Sequence, residues 1–196
     1  MAHGVVDRAA GLFMPAGLSY ILRCKIWRMD EVDRRLVVLL QADGRKTLQE
    51  LSEELGRPKT TIAARIKRLE HEGVIMGYKA VPNPFALGYR LLAFVLVSVR
   101  RGAAAKEAKP LQQEVAEKVL ADCNGERGMP FVEEAYIITG PYDLLFKVWA
   151  RDVKQLSTFL VAYLASNPDI QRTETLMVLE IIDDWRKRVM PPASPA

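Results

Sequence analysis

The sequence predicts an α+β protein of two modules, helical first and mixed second, on three observations. Residues 30 to 73 hold three successive runs of helical periodicity, separated by glycine-containing breaks. Residues 90 to 185 alternate β-rich and helical runs in the order βαββαβ. The charge is divided in the same way. Residues 1 to 89 carry 14 basic and 10 acidic side chains, a balance of +4, residues 90 to 185 carry 11 and 14, a balance of −3, and Arg186, Lys187 and Arg188 supply the rest. A basic front half beside a mildly acidic second half points to a first module that meets a polyanion. At 196 residues, 49% hydrophobic and 27% charged, the composition is that of an ordinary globular chain. No apolar run is long enough to span a bilayer. Cys24 and Cys123 form no metal or redox spacing, and a reducing cytoplasm suits them.

Residues 1–28 come first. Ala9 to Leu22 is largely apolar, interrupted by Pro15 and Gly17 and followed by Arg23, Lys25 and Arg28, an order that does not suit a signal peptide. Two readings fit: a dispensable extension ahead of a start at Met29, or an accessory arm that packs on a partner subunit.

Asp30 is placed to cap a first helix in which Val32, Leu36, Leu39 and Leu40 recur at helical spacing, closed by Ala42-Asp43-Gly44. Thr47 and Glu50 have capping-box spacing for a second helix, with Leu48, Leu51 and Leu55 on its buried side and Gly56 at its end. A third helix, within Arg57 to Gly73, follows at once. At about 100° per residue, Ile62, Ile66 and Leu69 share a narrow apolar stripe. Thr60, Ala64, Lys67, Arg68 and His71 fall opposite, and Thr61 and Arg65 lie on one flank. Between Arg57 and Arg68 the charged residues are Arg57, Lys59, Arg65, Lys67 and Arg68, all basic.

Small side chains let a helix approach base edges, hydroxyls reach bases or phosphates, and cations displace condensed counterions. This face suits the major groove of double-stranded DNA. Thr60, Thr61, Ala64 and Arg65 are the candidates for base contact, and Arg57, Lys59, Lys67 and Arg68 for phosphate. The plainer alternative is a solvated basic face. A short helix, a tight turn and a longer basic helix in that order make a helix-turn-helix. Val74 to Val81, β-rich around Gly77, predicts a small hairpin or wing, so residues 29–81 read as a winged helix-turn-helix.

These residues resemble the Lrp/AsnC, or feast/famine, transcription regulators. The resemblance is carried by Asp30 to Leu36, Leu48 to Leu55 and Ile66-Lys67-Arg68-Leu69-Glu70-His71-Glu72-Gly73-Val74-Ile75, and it continues to about Asp184.

Pro82-Asn83-Pro84 can continue neither helix nor strand ladder, so 82–89 is expected as a stiff hinge. In 90–185, Leu91 to Val99 is a nearly continuous apolar strand. Leu111, Val115, Val119 and Leu120 mark a helix ending near Asn124-Gly125. Val132 to Thr139 and Asp143 to Ala150 are two strands about Gly140-Pro141-Tyr142. Leu156, Phe159, Leu160, Tyr163 and Leu164 mark a second helix, and Thr173 to Ile182 the last strand. The arrangement is ferredoxin-like. With the first, third and fourth strands apolar on both sides, the sheet face away from the helices is expected to pack on a second copy, giving a homodimer. Residues 186–196 are left as a tail.

In this half the resemblance is to the family's regulatory domain, called RAM. Thr139-Gly140-Pro141-Tyr142-Asp143 matches its Gly-x-Tyr-Asp signature, and Thr173 and Thr175 match the threonines of its last strand. The resemblance implies an amino acid effector, bound through Thr139, Gly140, Tyr142, Asp143, Thr173 and Thr175 where dimers meet in a tetramer or octamer. A tight turn can offer N–H groups to a carboxylate, and Asp143 or a threonine hydroxyl can meet an ammonium. The alternative is that Gly140 serves only the turn and Asp143 only caps it; Pro141 removes one donor.

His3 and His71 are the only histidines, and the sequence shows no nucleophile elbow, phosphate-binding glycine loop or Cys/His cluster. Sirohaem decarboxylases resemble this architecture, but their chemistry is associated with histidines in the second domain, where this chain has none. A stand-alone small-molecule sensor would leave the third helix's cations idle. The expectation is therefore a cytoplasmic, cofactor-free regulator that binds DNA rather than an enzyme.

Overall fold

The computed structural model describes residues 28–100, 110–125, 128–183 and 188–192, so the expectations for residues 1–27 fall outside it. The chain divides into two units. One comprises the residues up to Val81 together with those from Asp183, and the other is Pro82–Ile182.

In the first unit, α1 (Glu31–Ala42) starts at the expected Asp30. Asp30 Oδ1 accepts the Asp33 N–H at 2.9 Å, and Asp33 Oδ2 accepts the Asp30 N–H at 3.1 Å, a reciprocal box that satisfies two end donors. Thr47 and Glu50 do the same for α2 (Leu48–Leu55), through contacts of 3.3 and 2.7 Å. Gly56 then takes the left-handed conformation, φ 60°, which turns the chain sharply into α3 (Lys59–His71). Leu36, Leu51, Ile62 and Leu69 are wholly buried at the meeting point of the three helices. Leu48, expected in that core, is 41% exposed. It shares the stripe of Leu51 and Leu55 but stands at the first helical position, past the edge of the cluster.

The expected hairpin is also absent: residues 74–81 contain no strand. The N–H groups of Val74 and Ile75 both donate to the Leu69 carbonyl, at 2.9 and 3.1 Å, and their side chains join the helical core. Donors that a ladder would use are thereby taken. Beyond them, Tyr78 donates to Glu70 Oε1 at 3.2 Å. At the other end of the chain, the Gln41 amide brackets the Met190 backbone, donating to its carbonyl at 3.0 Å and accepting its N–H at 2.8 Å.

The second unit is an antiparallel sheet of order β2-β3-β1-β4, formed by β1 (Leu91–Val99), β2 (Phe131–Ile137), β3 (Leu144–Ala150) and β4 (Ile170–Met177). Ala93, Val95, Val97, Leu144, Phe146 and Val148 face α4 (Leu111–Gly125) and α5 (Val153–Ser157), meeting Val115, Val119, Leu156, Phe159 and Leu164. The second expected helix is present in two parts, because α5 widens over Thr158–Leu164 into a π-helical segment. The last strand also differs from expectation. It begins at Ile170, ends at Met177 and carries Arg172, Thr173, Glu174 and Thr175, so it is not apolar on both sides. The run containing Leu179, Ile181 and Ile182 lies beyond it and is exposed.

Among the described residues of this unit, no helix packs on the sheet's other face. Phe94, Leu96 and Leu145 are half-buried there, and Leu176 is half exposed. Lys147, buried in the same face, meets Glu133 at 3.1 Å and Glu134 at 3.0 Å, and the Trp149 indole N–H donates to Glu133 Oε2 at 2.7 Å. Residues 82–89 form a turn in which Asn83 Oδ1 accepts the Phe85 N–H at 3.0 Å. The Phe85 ring stands edge-on to Trp149, with centroids 6.0 Å apart.

Candidate nucleic-acid interface

Ile62 and Leu69 fasten α3 from behind, and their full burial fixes which side faces out. Lys59, Thr60, Ala64, Lys67 and Arg68 are exposed on that side, together with Arg57 just ahead of the helix. Thr60, Thr61, Ala64, Arg65 and Arg68 line one open concavity of about 490 Å³. Ala64 deepens it because its side chain ends at Cβ. Arg57, Lys59 and Lys67 have no carboxylate within ion-pair distance among the described residues, so their charge is available to phosphates.

Arg65 and Arg68 are placed differently. Arg65 Nη1 lies 2.6 Å from Asp30 Oδ2 and 2.7 Å from Asp33 Oδ1, and Arg68 Nη2 donates to Asp33 Oδ2. Asp33 is 1% exposed. A buried carboxylate requires partners, and these two arginines, one helical turn apart, supply them. Arg65, expected at the bases, lines the concavity but is also ion-paired at the start of α1 through Nη1, with its side chain 25% exposed. Arg68, assigned to phosphate, sits nearer the middle of the outer face and is 44% exposed despite its bond to Asp33. The Asp30 carboxyl is held below its ordinary value, first by the Asp33 N–H and next by Arg65. Sequence reading took Asp30 as a cap and did not single out Asp33. The signal was present in the matched three-residue spacing of Asp30/Asp33 and Arg65/Arg68.

In the second unit the turn after β2 has Gly140 at φ 123°, a conformation that side chains rarely adopt. Asp143 Oδ2 accepts the Val99 N–H at 2.8 Å, its own N–H donates to the Val97 carbonyl at 2.9 Å, and Ser98 donates to the Pro141 carbonyl at 3.1 Å. These bonds fasten the turn to the end of β1. The Tyr142 hydroxyl donates to Glu174, and Arg172 stacks over the Tyr142 ring, 5.5 Å from its centroid. The hydrogen bond to Glu174 raises the Tyr142 hydroxyl above the usual tyrosine range.

The six residues expected around an effector do not converge on one face. Thr173 and Thr175 pair with Val97 and Val95 across the ladder and so share the helix-covered side, whereas Tyr142 meets Glu174 and Arg172 on the other. Strand alternation separates them. Glu174 and Arg172, which sequence reading did not single out, are the turn's actual neighbours. Among the described residues no cluster of His, Cys, Asp and Glu is arranged to hold a metal.

Comparison with known proteins matches residues 29–70 to the AsnC-type helix-turn-helix domain and residues 92–187 to the Lrp/AsnC ligand binding domain. The HTH-type transcriptional regulator FL11 of Pyrococcus abyssi is 36% identical over 152 residues, covering 78% of this chain and 90% of its own. A transcriptional regulator of Neisseria meningitidis, solved as a complex with L-Met, is 27% identical with a TM-score of 0.68, over 80% of this chain and 94% of that one. AsnC of E. coli is 27% identical with a TM-score of 0.67, over 85% of this chain and all of its own.

Proposed function

The chain belongs to the Lrp/AsnC family of DNA-binding transcription regulators, and from that premise we propose that it reads a palindromic operator through α3, as a homodimer or higher assembly governed by an amino acid. The observation that carries the reading is the outer side of α3. Thr60, Thr61 and Ala64 line its concavity beside Arg68, flanked by Arg57, Lys59 and Lys67, while Ile62 and Leu69 anchor it from behind. Threonine hydroxyls and the Ala64 methyl meet base edges, the latter suiting a thymine methyl, and the cations meet phosphates.

Assembly is supported by the uncovered sheet face. Phe94, Leu96, Leu145 and Leu176 offer apolar area there, and an isologous dimer would bury it. Further pairing to a tetramer or octamer would enclose the turn at Gly140, where backbone groups, Tyr142 and Asp143 are at hand for an amino acid. The L-Met complex of the Neisseria relative supports that ligand class.

The test is selection of duplexes from a random pool, followed by gel shifts on the enriched and a scrambled duplex at two salt concentrations. Enrichment of a two-fold symmetric sequence is expected; failure to retain any duplex in dilute buffer overturns the reading. Analytical ultracentrifugation should give a dimer or larger at micromolar concentration. A thermal-shift screen of the amino acids should find one that stabilises the protein.

A further inference from the structure

Asp33 is out of place in a surface meant for phosphate. It is 1% exposed, its Oδ1 lies 2.7 Å from Arg65 Nη1, and its Oδ2 accepts both from Arg68 and from the Asp30 N–H. A guanidinium carries five N–H donors in a rigid plane. Holding one Nη of Arg68 to a buried carboxylate restrains that plane, while the exposed side chain keeps donors to spare. Arg68 is 44% exposed and Arg65 25%, and both border the concavity over Ala64. Ala64 is one turn before Arg68 on the same side of the helix, and its small side chain leaves the concavity open beside the guanidinium.

We propose that Asp33 is a positioning residue for sequence discrimination: it presents the Arg68 guanidinium in one orientation over Ala64, to read the O6 and N7 acceptors of a guanine. Arg65 is the anchor of this arrangement, bound to Asp30 and Asp33 together. The inference rests on α3 being the DNA-reading helix and refines which of its residues reads. It gives Asp33 two effects of opposite sign. By neutralising cations it weakens attraction to any duplex, and by orienting Arg68 it sharpens the choice among duplexes. A merely structural Asp33 shares the first effect, which follows from its charge alone, but not the second, so the affinity ratio is the readout that separates the two.

The experiment uses the full chain, the duplex enriched from a random pool and a scrambled control. A wild type that does not distinguish the two removes the DNA-reading premise itself. Given discrimination, Asp33→Asn should lower the enriched-to-scrambled affinity ratio by about tenfold or more, while affinity for the scrambled duplex holds level or rises. Arg68→Lys retains the charge at an exposed position and should lower the ratio alike, and the two substitutions together should cost no more than one. Replacing the operator guanines singly with 7-deazaguanine should identify one position where wild type loses affinity and Arg68→Lys does not lose more. The proposal is overturned if Asp33→Asn weakens both duplexes in proportion, or if Arg68→Lys leaves the ratio intact. The second result decides even where Asp33→Asn fails to fold.

Discussion

Arg65→Ala tests the role of Arg65 as an anchor. Removing it strips the buried Asp33 carboxylate of one of two guanidinium partners and leaves Asp30 with none. An exposed ion pair contributes up to about 1 kcal/mol, and breaking a buried one costs about 3–5 kcal/mol. Here the acid is buried, the base is a quarter exposed and Arg68 remains in place, so the expected loss is about 2 kcal/mol. For a unit of this size that lowers Tm by about 10 °C. Urea and thermal melts by far-UV circular dichroism measure the loss, and hydrogen exchange assigns it to α1 and α3. Lys67→Ala, at an exposed position with no ion-pair partner among the described residues, is the control and should stay within about 0.5 kcal/mol of wild type. If Arg65→Ala is as mild as Lys67→Ala, the anchor reading is wrong.

Four further outcomes are expected. Lys67→Ala should weaken enriched and scrambled duplexes equally and reduce the slope of log K against log salt by about 0.9 for each protomer bound; an unchanged slope would take Lys67 off the phosphates. The Asp30 carboxyl is depressed below its ordinary value of 3.8, so its contribution to stability is complete above that value and vanishes as pH falls through the folded-state value. Asp30→Asn should therefore flatten the acid limb of the first unit's stability profile, measured by melts between about pH 5 and 2. Leu176→Lys on the uncovered sheet face should shift sedimentation toward monomer without lowering helix content; an unaltered assembly would place the interface elsewhere. Asp143→Ala removes the acceptor of the Val99 N–H and should cost about 1 kcal/mol, with faster exchange at Val99 and none at α1 to α3.

The helices of the first unit were legible because their ends are written in residue types with a single physical use. Asp30, Thr47 and Gly56 each satisfy or reverse a helix end wherever they stand at that spacing. β1 was legible for another reason: a nine-residue run that is apolar almost throughout and rich in valine suits a strand at the centre of a sheet. The hairpin over Val74–Val81 failed because propensity cannot report that the Leu69 carbonyl has already claimed the donors of Val74 and Ile75. Helical spacing correctly put Arg65 on a flank, but the pull of Asp33 on it is a tertiary fact, visible only once α1 crosses α3. The threonines of β4 illustrate a third limit. A motif match collects residues along the chain, and strand alternation then sends Thr173 and Thr175 to one side and the partners of Tyr142 to the other.

The pairing of the Gln41 amide with the Met190 backbone ties residues 149 positions apart into one unit. The portion of the molecule that bears the reading helix is therefore not a continuous stretch of polypeptide. Ending expression near Val81 yields a fragment that lacks a native strap on α1, and a stop codon shortly after Asp183 damages the amino-terminal half while leaving the sheet whole. Small deletions at the carboxyl end should thus be scored by operator affinity as well as by ligand response.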